Sequence, residues 1–457
     1  MPSPSFTRHP DTQLELRGFL EPYLRGVLEQ WHLVAPQANP GILEMFRDRN
    51  ASPLRNLLPW SGEFAGKYMV SAVQHLRVAP DERLRALLRD FVPRLIAYQR
   101  EDGYLGPWPA GYELAKDAPN NSIDVHGIWD GWGHYEIMLG LLYWHDETGD
   151  ADALHCAARI ADYFCEKFLG DKSPRLVDLD WPETNLAPVH AFCILYRRTN
   201  TKRYLDLALQ IVDEFAARDA EGNRLANDYL NHALAGKEYY ECPKPRWEGL
   251  HSIMALIELY WITGEARYRE AFEHQWWSID KTDRHNNGGF SSGESAIGNP
   301  YATTAIETCC TIAWTAMTVE MLHLTGTSVV ADELELTTLN SIAGSFTPTG
   351  RWATYNTPMS GVKRASAHSI VFQAREGTPE LNCCSVNAPR GFGMISDWAL
   401  LRDDDGLVLN YYGPSTVTAP APDGATVTLT QQTGYPCDGE IDIAVETGRP
   451  TTFGLKL

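Results

Sequence analysis

The stretch LLYWHDETGDADALHCAARIADYF, residues 141–164, decides the fold, because an apolar helix ends there at a Gly-containing turn and a second helix begins. The phrase returns as CILYRRTNTKRYLDLALQIVDEF (193–215), LIELYWITGEARYREAFEHQWW (256–277) and VEMLHLTGTSVVADELELTTLNSI (319–342). Each copy carries Gly or Asn at the turn, the residue types that end helices in a left-handed conformation. Residues 78–99 resemble half of the same unit. The repetition therefore predicts a series of helical hairpins.

Repeated hairpins of this length form either an open solenoid or a closed ring. The long loops between them, residues 102–112, 122–136 and 285–307, are rich in Trp, His, Gly and Asn. Loops of this composition make a pocket when they gather at one end of a ring. We therefore expect a mainly α protein built as an (α/α)6 barrel of about six hairpins.

The pattern changes near residue 400. Residues 407–419, 426–435 and 440–448 alternate in polarity, contain β-branched side chains and are punctuated by Gly and Pro. These features predict strands at the start of a β-sandwich. The predicted division is a catalytic barrel over residues 1–400 and a β-sandwich domain, expected to be incomplete, over residues 401–457.

Composition limits the possible functions and partners. The chain has 457 residues and a formal net charge of −20, which disfavours a nucleic-acid partner. The N-terminus lacks a signal-peptide pattern, and no apolar run is long enough to span a membrane. The nine cysteines are odd in number and include two adjacent pairs, which does not suit a disulfide framework. Reduced thiols and a cytoplasmic location are expected.

One set of residues has the composition of a zinc site. Cys383 and Cys384 are adjacent in ELNCCSVNAPRG, while Glu307 and Cys309 precede a strong helix in AIETCCTIAW. Adjacent cysteines rarely form a disulfide because the ring is strained, but both can bind one metal. One carboxylate and three thiolates complete a tetrahedral zinc set. Spacing alone leaves open that the cysteines are only packed together, which is the expectation for Cys310.

Glu294 lies in GGFSSGES, thirteen residues before Glu307. The flanking Gly and Ser residues leave its side chain free to meet a ligand. An ordinary loop glutamate, or one that caps a turn, remains the alternative reading of this residue.

These segments carry a family resemblance. GGFSSGES, AIETCCTIAW, LHLTG, WATYNTPMSG and LNCCSVNAPRG, in this order and spacing, resemble the signature of glycoside hydrolase family 127. The resemblance implies an (α/α)6 barrel followed by β-sandwich domains, and a zinc ion held by Glu307, Cys309, Cys383 and Cys384. It further implies that Cys383 is the nucleophile and Glu294 the general acid/base.

The same resemblance implies a set of sugar-binding residues. It assigns hydroxyl contacts to His134 in WGHYE, His251 in WEGLH and Tyr355 in TYNTP, and less directly to His190 in NLAPVH. A buried, hydrogen-bonded structural role remains open for each histidine. The segment WDGWGHYE (129–136) is rich in Trp and departs from the family pattern, in which a different lead-in precedes the histidine.

The function expected from the resemblance is that of a retaining glycoside hydrolase acting on a terminal β-L-arabinofuranoside or a related sugar. The substrate would be a small glycoside or an oligosaccharide, and a homodimer is left open. Two alternatives remain: a sugar isomerase or epimerase that uses His134, His190 and His251 for proton transfer, and a sugar-binding protein with a structural zinc.

Overall fold

The computed structural model describes residues 2–121, 126–291, 293–359 and 382–457. Within these ranges lie the following helices: α1 Glu21–Val27, α2 Ala35–Ala38, α3 Gly41–Arg47, α4 Glu63–Val78, α5 Glu82–Ile96, α6 Asp130–Thr148, α7 Ala151–Phe168, α8 Pro182–Asn185, α9 Pro188–Thr199, α10 Lys202–Glu214, α11 Tyr229–Leu234, α12 Gly249–Thr263, α13 Ala266–Thr282, α14 Thr308–Thr325, α15 Ser328–Leu336, α16 Ala343–Ser345, α17 Cys383–Gly393 and α18 Ile395–Trp398. Residues Leu28–His32 and Thr337–Ile342 form wider π-helical turns, and Leu176–Asp178 and Tyr239–Glu241 form 3-10 turns.

Six of these helices close into a ring. Each contacts the next, and the last packs back on the first, in the order α4, α6, α9, α12, α14 and α17. Helices α5, α7, α10, α13 and α15 each follow an inner helix in the chain and return along the outside. This arrangement confirms the predicted (α/α)6 barrel.

The predicted turns of the hairpins are also confirmed. Four inner helices end at residues in the left-handed region, Gly149 (φ 75°), Asn200 (φ 54°), Gly264 (φ 76°) and Gly326 (φ 65°). In each case the backbone N–H of this residue donates to a carbonyl of the helix's last turn. The Gly or Asn in each repeated phrase is therefore the residue that lets the chain reverse.

Close approach of inner helices depends on small residues. A Cβ added to Gly66 in α4 would lie 2.1 Å from the carbonyl carbon of Glu136 in α6. Real Cβ atoms never come this near another carbon, so only Gly allows the two backbones to touch. Helices α4 and α6 are therefore in direct backbone contact at this position.

The strands are β1 Gln13–Leu16, β2 Ile306–Glu307, β3 Asn356–Thr357, β4 Leu400–Arg402, β5 Gly406–Leu409, β6 Ser415–Pro420, β7 Thr426–Thr433, β8 Ile441–Thr447 and β9 Gly454–Lys456. The order β1–β6–β7–β8 forms one antiparallel sheet, and β4–β5–β9 forms a second sheet. Strand β1 pairs with β6 from Gln13↔Thr418 to Leu16↔Ser415. The division at residue 400 stays a prediction, but the N-terminal segment contributes a strand to the C-terminal sheet.

The two ends of the barrel differ in character. Because the first five inner helices are each followed by a returning outer helix, these inner helices run in the same direction and begin at the same end. At the opposite end a cavity of about 640 Å³ is lined by charged residues near the ends of these helices. Several of those charges are paired, as in Arg77 with Glu147 at 3.2 Å.

Across the described ranges, none of the helices has the length and apolarity needed to cross a membrane.

Candidate active site

Four predicted metal ligands meet at the end of the barrel where the inner helices begin. The ligand atoms of Glu307, Cys309, Cys383 and Cys384 all lie within 4.8 Å of one another, and all four residues are buried. Glu307 occupies the N-cap position of α14, and Cys309 lies in the first turn of that helix. Cys383 and Cys384 begin α17. The helix N-termini direct partial positive charge at this cluster, which favours anionic ligands.

Local hydrogen bonds hold the two segments in place. Asn382 caps α17: its side chain accepts from the Ser385 N–H at 3.0 Å, and the Ser385 hydroxyl accepts from the Asn382 N–H at 2.9 Å. Glu307 belongs to β2, which pairs with β3, and the Thr308 N–H donates to the Tyr355 carbonyl at 2.9 Å. Pairing of β2 with β3 therefore brings Tyr355 to the cluster.

The donor set fits a divalent cation that accepts sulfur. The Sγ atoms of Cys383 and Cys384 are 3.9 Å apart, and Cys384 Sγ is 3.2 Å from Glu307 Oε1. A tetrahedral zinc with Zn–S bonds of about 2.3 Å places its sulfur atoms about 3.8 Å apart. These distances match the four-coordinate set that the sequence predicts, and thiolate sulfur and carboxylate oxygen are both ligand types that zinc accepts.

The electrostatics of the cluster lead to the same conclusion. Burial, and after it the negative charges of Glu294 and Cys383, raise the pKa of Glu307 well above its usual range. Burial alone would raise the pKa of Cys383, but the thiols of Cys309 and Cys384, the charge of Lys67 and the Tyr355 hydroxyl lower it well below its usual range. Cys383 is thus the thiol of the cluster most disposed to be a thiolate. Burial raises the pKa of Glu307, Cys309 and Cys384, and a bound cation would offset the cost of ionising these groups together.

Glu294 lies next to this cluster and makes two hydrogen bonds. Its Oε1 accepts from the Tyr355 hydroxyl at 3.0 Å, and its Oε2 accepts from Arg246 Nη2 at 3.0 Å. Arg246 also makes a bidentate pair with the buried Glu248, at 3.0 and 2.8 Å. One guanidinium therefore serves two carboxylates, and Glu248 takes the closer pairing. The Glu294 side chain is 29% exposed, which leaves it accessible to a ligand.

Two of the predicted sugar-binding histidines share one partner. The Tyr135 hydroxyl lies 2.9 Å from His190 Nδ1 and 2.7 Å from His251 Nδ1. Burial, and then the charge of Arg390, lower the pKa of His190 to about 3 and that of His251 well below its usual range. Both imidazoles are therefore neutral at physiological pH, and each can exchange hydrogen bonds with hydroxyl groups.

His134 has a different setting. Its Nδ1 lies 2.7 Å from the Asp130 carbonyl, and its Nε2 accepts from the Leu105 N–H at 3.2 Å. Both ring nitrogens are therefore used: Nδ1 bonds within α6, and Nε2 joins α6 to the loop that carries Leu105. This is the structural role that the sequence left open, and the sugar contact assigned to His134 stays a prediction that these hydrogen bonds do not favour.

Sequence reasoning missed several residues of the site. Lys67 is fully buried, with Nζ 2.8 Å from Glu63 Oε2 and 5.4 and 5.2 Å from the rings of Trp132 and Trp247. Cys310, expected only to pack, has its Sγ 3.1 Å from Glu307 Oε2. The spacing Glu63–Lys67 marks an i,i+4 pair, and this was the available signal. The mutual position of these residues depends on ring closure, which no local pattern reveals.

The comparison with known families agrees with these observations. The family model described as the β-L-arabinofuranosidase, GH127 catalytic domain, matches residues 28–397. The chain belongs to glycoside hydrolase family 127. A curated member, the non-reducing end β-L-arabinofuranosidase of Bifidobacterium longum subsp. longum, is 25% identical over 426 residues, covering 86% of this chain and 63% of that protein. The chain described here thus spans less than two thirds of the length of this relative.

Solved structures of the family share the fold. A GH127 β-arabinofuranosidase superposes with a TM-score of 0.74 at 18% identity, covering 97% of this chain and 70% of that one. A GH127 β-L-arabinofuranosidase from Geobacillus stearothermophilus T6 gives 0.73 at 19% identity, covering 97% and 74%. At these identities the similarity concerns the fold, and it agrees with the barrel and strands described above.

Proposed function

We propose that the chain is a retaining glycoside hydrolase that releases terminal β-L-arabinofuranose or a related sugar. Cys383 is the nucleophile and Glu294 the general acid/base. The observation that carries the proposal is the meeting of these two groups at Tyr355. The Tyr355 hydroxyl donates to Glu294 at 3.0 Å and also helps to lower the pKa of Cys383. A sugar held beside Tyr355 would have an acid and a nucleophile within reach.

In the first step the Cys383 sulfur attacks the anomeric carbon. A C–S bond forms as the C–O bond to the leaving group breaks, and the Glu294 proton passes to the departing oxygen. In the second step a water oxygen attacks the same carbon, the C–S electron pair returns to sulfur, and Glu294 takes the proton of the water. Two displacements at one carbon retain its configuration, and one water is consumed per sugar released.

The residues that would hold zinc are Glu307, Cys309, Cys383 and Cys384, whose ligand atoms lie within 4.8 Å of one another. When bound, the ion supplies a positive charge that keeps the cysteine sulfurs deprotonated at neutral pH. Cys383 would thus be both one of the residues that hold the ion and the nucleophile.

The histidines support binding rather than proton transfer. Burial lowers the pKa of His190 to about 3, which keeps the imidazole neutral and a poor proton donor near pH 7. This setting suits contacts with sugar hydroxyls and weakens the isomerase or epimerase alternative. The other alternative, a sugar-binding protein with a structural zinc, does not explain why Glu294 lies partly exposed beside the cysteines.

The test is hydrolysis of a panel of 4-nitrophenyl pentosides, followed by trapping with a haloacetamide-bearing sugar and mass mapping of the modified cysteine. Cys383→Ser should lower kcat/KM by about 10⁴-fold, and Cys383 should carry the label. Cys437→Ser, which removes the exposed thiol, is the matched control and should keep activity and labelling.

Glu294→Gln separates the two roles. It should lower kcat/KM by about 10²–10⁴-fold for glycosides with a poor leaving group and much less for nitrophenyl glycosides, which need little protonation. Full hydrolysis by Cys383→Ser would refute the nucleophile assignment. Activity that survives this change and is lost in a histidine variant would favour the epimerase. Binding of sugar without turnover would favour the binding protein.

A further inference from the structure

Three tryptophans form a contiguous cluster at the end of the barrel that carries the cysteines. The Trp60 and Trp129 ring centroids are 5.1 Å apart, and those of Trp129 and Trp181 are 5.6 Å apart. Trp60 and Trp181 are partly exposed, while Trp129 is 8% exposed. They come from three separate segments, which precede α4, α6 and α8. We call these three residues the Trp cluster.

Arg246 joins the Trp cluster to the proposed acid/base. Its guanidinium carbon lies 5.8 Å from the Trp129 ring centroid and 5.9 Å from that of Trp181, while its Nη2 donates to Glu294 Oε2. The other carboxyl oxygen of Glu294 faces Tyr355 and hence the cysteines. The two carboxyl oxygens of Glu294 therefore face different parts of the site. Oε1 faces Tyr355 and the cysteines, and Oε2 contacts Arg246, which lies beside the Trp cluster.

The loops that carry Trp181 and Trp129 are locked to each other. The Trp181 indole N–H donates to the His126 carbonyl at 2.7 Å, and the Asn185 side chain donates to the Ile128 carbonyl at 3.0 Å. Trp181 has a φ of 56°, a left-handed conformation that costs a bulky residue of order 1–3 kcal/mol and persists where the surroundings enforce it. These contacts fix the position of the Trp181 ring.

We propose that the Trp cluster is the subsite for the leaving group, and that it accepts a neutral aglycone with a flat or ring-shaped apolar face, an aryl group or a second sugar ring. This inference rests on the proposed function. The group attached to the oxygen that Glu294 protonates extends on the Glu294 side, away from Cys383. Aromatic side chains recognise such faces by stacking.

The charges around the cluster indicate a neutral ligand. Arg246 is already paired with Glu248 and Glu294, and Lys244, whose Nζ lies 5.6 Å from the Trp181 ring centroid, is 3.4 Å from Glu183. The cations beside the rings are therefore balanced by carboxylates, and an anionic aglycone would find no uncommitted partner in them.

The test compares two substrates of the same sugar, a 4-nitrophenyl glycoside and a glycosyl fluoride, which has no aglycone to stack. Trp181→Ala should lower the ratio of kcat/KM for the aryl glycoside to that for the fluoride by about tenfold, chiefly through KM. Trp60→Ala, on a separate segment, should move the ratio in the same direction. Trp277→Ala, which removes a 45% exposed ring on the outer helix α13, is the matched control and should leave it unchanged.

An equal loss for both substrates, or no change in the ratio, would overturn the inference. If the unmodified protein hydrolyses neither substrate, the proposed function fails instead. Calorimetry then tests the subsite alone: the protein should bind the phenyl glycoside more tightly than the methyl glycoside, and Trp181→Ala should abolish that difference. Equal affinities in the unmodified protein would refute the subsite.

Discussion

Cys309 and Cys310 are neighbours in sequence with different surroundings. The Cys309 sulfur is one of the four candidate metal-ligand atoms, whereas the Cys310 sulfur lies 3.1 Å from Oε2 of Glu307. The first residue would contact a metal directly, and the second would orient the carboxylate that does. Residues that orient a ligand commonly affect metal affinity without being ligands themselves.

We predict that Cys309→Ser abolishes stoichiometric zinc binding, because a four-donor set loses one sulfur. Cys310→Ala should still bind one zinc per chain, with an affinity weakened by about 10–100-fold, because Glu307 loses a hydrogen-bond partner. Metal analysis of the purified variants and competition with a chromogenic chelator measure both quantities. Equal losses in the two variants would contradict the assignment of Cys310 to the outer position.

The sequence pointed to the candidate site residues more readily than to the residues that contact them. Glu294, Glu307, Cys309 and the Cys383–Cys384 pair lie in short phrases whose composition and resemblance point to chemistry, and the structure brings them together. Arg246 and Tyr135 carry no local signal of this kind. Their contacts with Glu294 and with His190 and His251 exist only after the ring of helices has closed.

At the scale of elements, the hairpins were predictable because their turns are local. A Gly or Asn that ends a helix leaves its mark within a few residues, as at Gly149 and Asn200. The assignment of inner and outer helices follows from burial. Helix α14 is buried on nearly every side and shows no polar face, while α10 buries one side only. The unexpected pairing of β2 with β3 spans about fifty residues and leaves no such local mark.

Helix α4 and the π-helical turn Leu28–His32 meet at a pair of buried histidines. The His32 and His75 ring centroids are 4.9 Å apart, and within the described ranges none of their ring nitrogens has a hydrogen-bond partner. Burial lowers the pKa of His75 from 6.5 to about 4, and burial together with His75 lowers that of His32 well below 6.5. Both imidazole rings are therefore neutral in the folded protein at pH 7.

We predict that this histidine pair makes the stability of the protein sensitive to acid. His75 takes up a proton near pH 6.5 in the unfolded chain but only near pH 4 in the folded chain. Between these values the unfolded state binds more protons, so the free energy of unfolding falls as the pH drops through this window. The shift at His75 corresponds to about 3 kcal/mol. Urea unfolding between pH 7.5 and 4.5 should show a smaller fall for His75→Phe than for the unmodified protein. His126→Gln, which changes a 94% exposed side chain, should leave the slope unaltered, and an equal slope in both variants would contradict the prediction.

At the scale of the whole molecule, strand β1 connects the two parts of the chain. It contacts α4 of the barrel and pairs with β6 of the C-terminal sheet. A further bridge joins Thr7 to Arg402, and the backbone N–H groups of Ser5 and Phe6 donate to the His323 carbonyl. Sequence patterns predicted strands after residue 400 but not this one, because four residues of alternating burial are too short a signal when their partner lies some 400 positions away.

Strand β1 therefore gives the last prediction. Its alternate residues Leu14 and Leu16 are buried, while Gln13 and Glu15 are exposed. Leu14→Ala should destabilise the protein by about 2–5 kcal/mol, because it removes apolar contacts at the junction of sheet and barrel. Gln13→Ala, on the same strand and facing solvent, should change stability by less than about 0.5 kcal/mol. Calorimetry should show one cooperative transition for the unmodified protein and a broadened or split transition for Leu14→Ala, because the sheet then loses its connection to the barrel before the barrel itself unfolds. Two resolved transitions already present in the unmodified protein would contradict this coupling and favour independent units divided near residue 400.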